Sequence, residues 1–342
     1  MLEGRNPPGG GQPNGSAADP RKAKRRRWYF VALKVFIAAI VLWGIRRALG
    51  SAFDQIREQW AEGSYRLRPL WLAASAAIYL AAFVPPAMFW RRALQAVGRR
   101  PRFWETLRAY SIGHLGKYVP GKAMVVVLRT GLIRSGSEST AAVAVTVFFE
   151  TLTMMAVGGF IAAAVLAVGF RDQRLLMAAA IASMLVAGLP TLPPVFRRLA
   201  RIAGAVRRSP EAAERLERMG YGALAAGWIG MSAAWVLMGL SLWMALLGIG
   251  QDPPDPLTHW PHYTACVALA TVAGFVSFIP GGAIVRELVL LEMSPLLLGL
   301  DPGSALVSAL VLRLVWLVAE VGISAILYPV GLRMPVSPDQ SG

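Results

Sequence analysis

Gly116-Lys117-Tyr118-Val119-Pro120-Gly121-Lys122-Ala123-Met124-Val125 and Phe278-Ile279-Pro280-Gly281-Gly282-Ala283-Ile284-Val285-Arg286-Glu287 are the two stretches that decide how this chain folds. Tyr118 to Val125 aligns with Phe278 to Val285 without a gap, and the proline, the following glycine, the alanine and the valine recur. Both stretches sit inside apolar runs. Proline removes a backbone donor and clashes with the preceding turn, and glycine admits positive φ, so each Pro-Gly breaks a helix. A helix broken at membrane depth exposes N–H and C=O groups that lipid cannot satisfy. It survives only inside protein or beside a watery cavity. We therefore read residues 106–134 and 262–300 as re-entrant helical hairpins that turn at Pro120-Gly121 and at Pro280-Gly281-Gly282. The competing reading, an ordinary span kinked by proline, stays open for the second segment, whose arms are each almost long enough to cross.

The rest of the chain makes lipid the solvent. Of 342 residues, 56% are hydrophobic and 16% are charged, against about 25% charged in a soluble domain. The apolar residues gather in runs long enough to cross a bilayer: Trp28 to Ile45, Pro69 to Trp90, Thr140 to Gly169, Leu175 to Phe196, Tyr221 to Gly250 and Ser304 to Val330. The expected fold is all-α and integral to the membrane, with about six full transmembrane helices plus the two hairpins. Residues 1–27 form a basic, Gly- and Pro-rich tail and residues 28–330 a polytopic membrane domain. Within the latter, the repeat halves cover about 69–169 and 221–330, with an amphipathic surface helix at about 197–218. Residues 331–342 are a short second tail. Pro85-Pro86 predicts a kink or an early stop in the second span.

The net charge of +16 comes from 35 Lys+Arg and 19 Asp+Glu. The basic residues flank spans, and no nucleic-acid-binding module is evident, so the implied partner is an anionic lipid leaflet and not nucleic acid. The basic cluster Arg21 to Arg27 and the Arg-rich segments after residues 90 and 196 alternate correctly for one side. This orients both termini to the cytoplasm. The loop 46–68, which should be external, opposes this with five arginines. Three spans separate the two hairpins, so the copies are inverted. Inverted repeats with broken helices at the midplane are the architecture of secondary transporters.

A charge at the bilayer centre is costly, so Glu150 and Arg313, which lie at similar distances beyond Pro120 and Pro280, face protein or water. Two readings stay open: they line a polar path for a headgroup, or they pair and lock the two halves together. Glu320, seven residues past Arg313, shares its helical stripe and is a candidate neutraliser. Lys117, Lys122 and Arg286 stand beside the broken helix ends, where a phosphate binds. The alternative for each is snorkelling to the interface, and that is the reading for Arg129 and Arg134. His114 reads as a packing histidine before a proton carrier. His259 and His262 lack a third ligand, so no metal is expected, and no cofactor motif or ATP-binding loop is evident.

These motifs resemble the lysylphosphatidylglycerol synthase transmembrane-region family, or flippase-like integral membrane proteins. That family carries Gly-Lys-x-x-Pro-Gly followed by a basic residue, here Gly116 to Gly121 with Arg129. It also carries Pro-Gly-Gly-x-Gly-x-Arg-Glu before a span with an embedded arginine, here Pro280 to Glu287 with Arg313. The likeness covers Trp28 to Val330, and the departure is read at Ala283, where the family has glycine. The resemblance implies lipid translocation in a bacterial cytoplasmic membrane without the synthases' soluble aminoacyl-transfer domain, since the chain stops at Gly342. It also implies a possible partner glycosyltransferase or aminoacyltransferase. The function expected is a translocator of a phosphate-bearing lipid or lipid-linked headgroup. Its site would be built from Lys117, Tyr118, Pro120, Gly121, Lys122, Glu150, Pro280, Gly281, Gly282, Arg286, Glu287 and Arg313. The alternatives are a membrane-embedded transferase on a phospholipid or polyprenyl substrate, and a non-catalytic scaffold for a partner enzyme.

Overall fold

The computed structural model describes residues 66–119, 123–133, 140–172 and 221–333 except 278, with a few isolated positions between 177 and 198. The first expected span, the basic cluster before it, Pro120, Gly121, Lys122 and Arg134 lie outside the described residues. So do the span Leu175 to Phe196 and the surface helix 197–218, apart from those isolated positions. The helices are α1 (Pro69–Ala81), α2 (Val84–Ala96), α3 (Phe103–His114), α4 (Ala123–Leu132), α5 (Thr140–Gly169), α6 (Tyr221–Gly248), α7 (Pro256–Val276), α8 (Val285–Leu298) and α9 (Pro302–Arg333). Short 3₁₀ segments at Leu115–Tyr118 and Pro280–Gly282 precede α4 and α8. No strand occurs among the described residues.

Four helical stretches here are long and apolar enough to cross a membrane: Pro69–Ala96, Ala142–Gly169, Tyr221–Gly248 and Pro302–Pro329. The chain is an all-α integral membrane protein. Its exterior agrees with a lipid solvent, since Leu70, Val168, Ile229, Val318 and Ile326 are all more than half exposed. Large apolar side chains left open in this number need a non-aqueous neighbour. Inside, Trp90, Trp235, Tyr79, Tyr263, Met231 and Leu242 are fully buried.

The prolines at 85 and 86 kink the span Pro69–Ala96 and do not end it. Ala82 and Phe83 keep helical dihedrals between α1 and α2. The turn tightens there, with Phe83 N–H donating to Leu80 O at 3.1 Å.

Helix directions follow from which residues meet. Arg68 N–H donates to Gly248 O at 2.8 Å. Ser75 and Ser241 exchange hydrogen bonds reciprocally, Oγ to the opposite carbonyl, at 2.7 and 3.0 Å. Phe89 packs on Gly227. Position rises along α1–α2 as it falls along α6, so the two run antiparallel. α3 is likewise antiparallel to α9. Arg108 Nε donates to Leu327 O at 3.1 Å, Ser324 Oγ to Ser111 O at 3.4 Å, and Lys117 pairs with Glu320.

Each half repeats one order: a span, a helix pair joined by a broken segment, a span. In the first pair, Gly113 packs on Arg129 and Gly116 on the backbone of Met124 and Val125, so α4 folds back along α3. In the second, Gly274 packs on Gly282 and Arg286, and α8 folds back along α7. Because α1–α2 and α6 point opposite ways, the two helix pairs start from opposite ends of the bundle.

Candidate functional site

The two helix pairs meet at their tips. Gly281 has φ 62 and ψ 7, a left-handed conformation that glycine adopts without strain. A Cβ there would lie 3.0 Å from the Tyr118 ring and 3.5 Å from an Arg313 guanidinium nitrogen. The tip of one pair therefore rests on the tip of the other, against the middle of α9. A partly open pocket lies at this junction, lined by Tyr118, Gly281, Arg286, Glu287, Arg313 and Trp316 together with aliphatic side chains of α7, α8 and α9.

Three charge centres surround the junction. In the first, Arg129 Nη1 contacts Glu150 Oε2 at 2.5 Å, with both side chains almost completely buried. Tyr110 Oη donates to Glu150 Oε1 at 3.2 Å, and the Arg129 guanidinium lies 4.0 Å from the centre of the Tyr110 ring. In the second, Arg313 Nη1 pairs with Glu287 Oε1. Arg286 donates to Thr271 Oγ1 at 2.7 Å and lies 5.8 Å from the Trp316 ring centre. In the third, Glu320 Oε1 accepts from Lys117 Nζ at 2.6 Å and from Tyr79 Oη, with His114 Nε2 at 3.8 Å.

The first two centres are the same device with its polarity reversed. In each half, the returning arm of the helix pair is clamped to the following span by one ion pair. Arginine is on the arm and glutamate on the span in the first half; glutamate is on the arm and arginine on the span in the second. This rules out one of the two readings left open, that Glu150 pairs with Arg313: each instead takes a partner from its own half. It also corrects the snorkelling assigned to Arg129, which Tyr110, Trp90 and Glu150 enclose. Glu320 serves Lys117 and Tyr79 and does not neutralise Arg313.

Of the residues singled out in the sequence, Tyr118, Gly281, Arg286, Glu287 and Arg313 line the pocket. Lys117 stands next to it in the chain, and Pro280 and Gly282 shape its turn. Glu150 lies apart, in the clamp of the first half. Sequence reasoning passed over Tyr79, Tyr110, Thr271 and Trp316. Nothing in their local sequence marks them, since each is an ordinary member of an apolar helix.

Among the described residues, Arg286, Arg313 and Glu287 line the pocket, and the Lys117–Glu320 pair stands beside Tyr118 at its edge. One oxygen of each carboxylate is buried without a hydrogen-bond partner among the described residues. Such a site attracts an anion and offers acceptors to any donor the anion carries.

Comparison with known families fits this arrangement. Residues 31–322 match the family model described as the lysylphosphatidylglycerol synthase TM region. No curated protein matches the chain. The family's second element also explains an irregularity in the backbone. Counted from Pro280, its third glycine falls on Ile284 and not on Ala283. Ile284 is the residue with φ 70 and ψ −50, whereas Ala283 has φ −53. The departure lies where glycine would relieve the turn. With Tyr118 and Gly281 of the two motifs facing each other, the embedded arginine on α9 and a match over most of its length, the chain belongs to the lysylphosphatidylglycerol synthase transmembrane-region family, an integral membrane family of lipid metabolism or translocation.

Proposed function

We propose that the chain moves a phosphate-bearing lipid or lipid-linked headgroup across the membrane, and that the headgroup passes through the pocket between the two helix tips. The observation that carries this reading is the pairing of Arg286 and Arg313 across one open, partly apolar pocket at the middle of α9. Arg313 lies about 4 Å along the axis from the centre of the Pro302–Pro329 span at 1.5 Å per residue. Guanidinium groups bind phosphate through two parallel hydrogen bonds. At this depth they replace the water that a headgroup leaves behind.

In this reading the two helix pairs are re-entrant hairpins that enter from opposite faces, and the halves are inverted repeats. The antiparallel α1–α2 and α6 and the reciprocal Ser75–Ser241 bonds support it, as such a pair is what a two-fold axis in the membrane plane produces. Lys117 and Lys122 supply further charge at the first tip, and both termini face the cytoplasm. Labelling of a cysteine at Ser16 or Ser337 by an impermeant external reagent would contradict that orientation.

The test is a leaflet-resolved assay in proteoliposomes with a labelled anionic phospholipid. Translocation is expected with the wild-type chain, and a fall of at least tenfold with Arg286→Gln, because one guanidinium–phosphate contact of roughly 1.5–3 kcal/mol is lost. Equal rates in wild-type and protein-free vesicles, or full activity in a folded Arg286→Gln variant, would refute the reading.

A further inference from the structure

Glu320 is a fully buried carboxylate whose surroundings are lopsided. Lys117 and Tyr79 both donate to Oε1, while Oε2 is buried and has no hydrogen-bond partner among the described residues. An ionised carboxylate in a dry interior needs acceptors satisfied on both oxygens and a counter-charge close by. Among the described residues the lysine or arginine in contact with Glu320 is Lys117. Lys117 is one-fifth exposed and sits on a short 3₁₀ segment beside Tyr118, which lines the pocket.

We propose that Glu320 is a proton-binding site coupled to the pocket, taking up a proton when an anionic headgroup draws Lys117 away from it. The inference rests on the headgroup reading above and adds a coupling ion to it. A phosphate seated between Arg286 and Arg313 competes with Glu320 for Lys117, which lies within electrostatic reach of both arginines and contacts the carboxylate. As the ammonium turns toward the phosphate, Glu320 keeps the Tyr79 hydroxyl and the neighbouring Tyr118 phenol but no lysine or arginine in contact with it among the described residues. Gaining a proton on Oε2 removes the carboxylate charge: one O–H bond forms there as one breaks in a hydronium ion or protonated buffer molecule from the solvent, which leaves as water or buffer base. His114 lies beside the carboxylate, with Nε2 at 3.8 Å from Oε1 and a quarter of its side chain exposed.

Every element packed around Glu320 contributes a charged or titratable group. These are Tyr79 from α1, His114 from α3, Lys117 and Tyr118 from the 3₁₀ segment, and Arg286 from α8 with Arg313 on α9 itself, both within electrostatic reach of Lys117. Lys117 is the cation that joins the carboxylate to the pocket among the described residues, beside Tyr118, which reaches both. The coupling is reciprocal: protonating Glu320 frees Lys117 for the phosphate, so an acid medium favours the headgroup. A singly charged phosphodiester and one proton then occupy the site together with no net change in charge.

Calorimetric titration of the full-length protein in detergent with dihexanoyl phosphatidylglycerol tests this. Repeating it in two buffers of different ionisation enthalpy counts protons, since the phosphodiester itself does not titrate near neutrality. Uptake of about one proton per ligand is expected, with Kd tightening about tenfold per unit fall in pH. Glu320→Gln should abolish uptake and bind at neutral pH as tightly as the wild type does in acid. Infrared difference spectra of the wild type read the same event without a variant, as a protonated-carboxyl band that appears with ligand. Binding without proton uptake, or uptake that persists in Glu320→Gln, overturns the coupling and leaves the headgroup pocket standing. Failure of the lipid to bind at all overturns the pocket and the coupling with it.

Discussion

Arg129 and Glu150 are 2% and 1% exposed, and each is the other's charge partner. A buried ion pair adds little net stability, but removing one member strands the other. Arg129→Gln and Glu150→Gln should each cost about 3–5 kcal/mol, and the double variant less than the sum of the two. Thermal unfolding in detergent measures this cycle. Combining Glu150→Gln with Arg313→Gln should give additive losses, because those two side chains belong to different clamps. Coupling between Glu150 and Arg313, with none between Glu150 and Arg129, would contradict the pairing. The sequence made it plain that Glu150 and Arg313 are not lipid-facing, since the cost of a charge at that depth follows from position alone. Their partners were not legible. Arg129 lies nine positions past Pro120, where a hairpin arm leaving the membrane would let it snorkel. Its enclosure depends on α4 folding behind α3, under the rings of Tyr110 and Trp90.

At the scale of elements, the proline and glycine positions were enough to place both broken segments, because backbone chemistry acts locally. The same argument read Pro85-Pro86 as a kink or a stop, and the helix kinks and continues. It missed the strain. Ile284 is β-branched and held at positive φ, which costs roughly 1–3 kcal/mol, and no local pattern announces that. Two substitutions on one turn should therefore move stability in opposite directions. Ile284→Gly should raise the unfolding temperature, as relief of strain exceeds the loss of a half-buried side chain. Gly281→Ala should lower it, costing about 1–2 kcal/mol for the left-handed backbone, with the new methyl pressed on the Tyr118 ring. Equal and small shifts for both would show that the turn is not strained as described.

Over the whole molecule, the contacts Arg68–Gly248, Ser75–Ser241 and Phe89–Gly227 set α1–α2 antiparallel to α6, the relation that the proposed inversion of the two halves requires. Membrane character was legible because lipid imposes apolar runs that composition reveals directly. Convergence of the tips was not, since Tyr118 and Gly281 are brought together only by packing both helix pairs against α9. The central claim is that the headgroup passes where those tips meet. It is tested most directly by tethering them in a chain with Cys266 replaced by serine: Tyr118→Cys and Gly281→Cys are bridged by a short, cleavable bifunctional thiol reagent in proteoliposomes. Lipid translocation should stop on bridging and return on cleavage, while either single cysteine treated in the same way stays active. Translocation at the unbridged rate with the tips tethered would contradict the account.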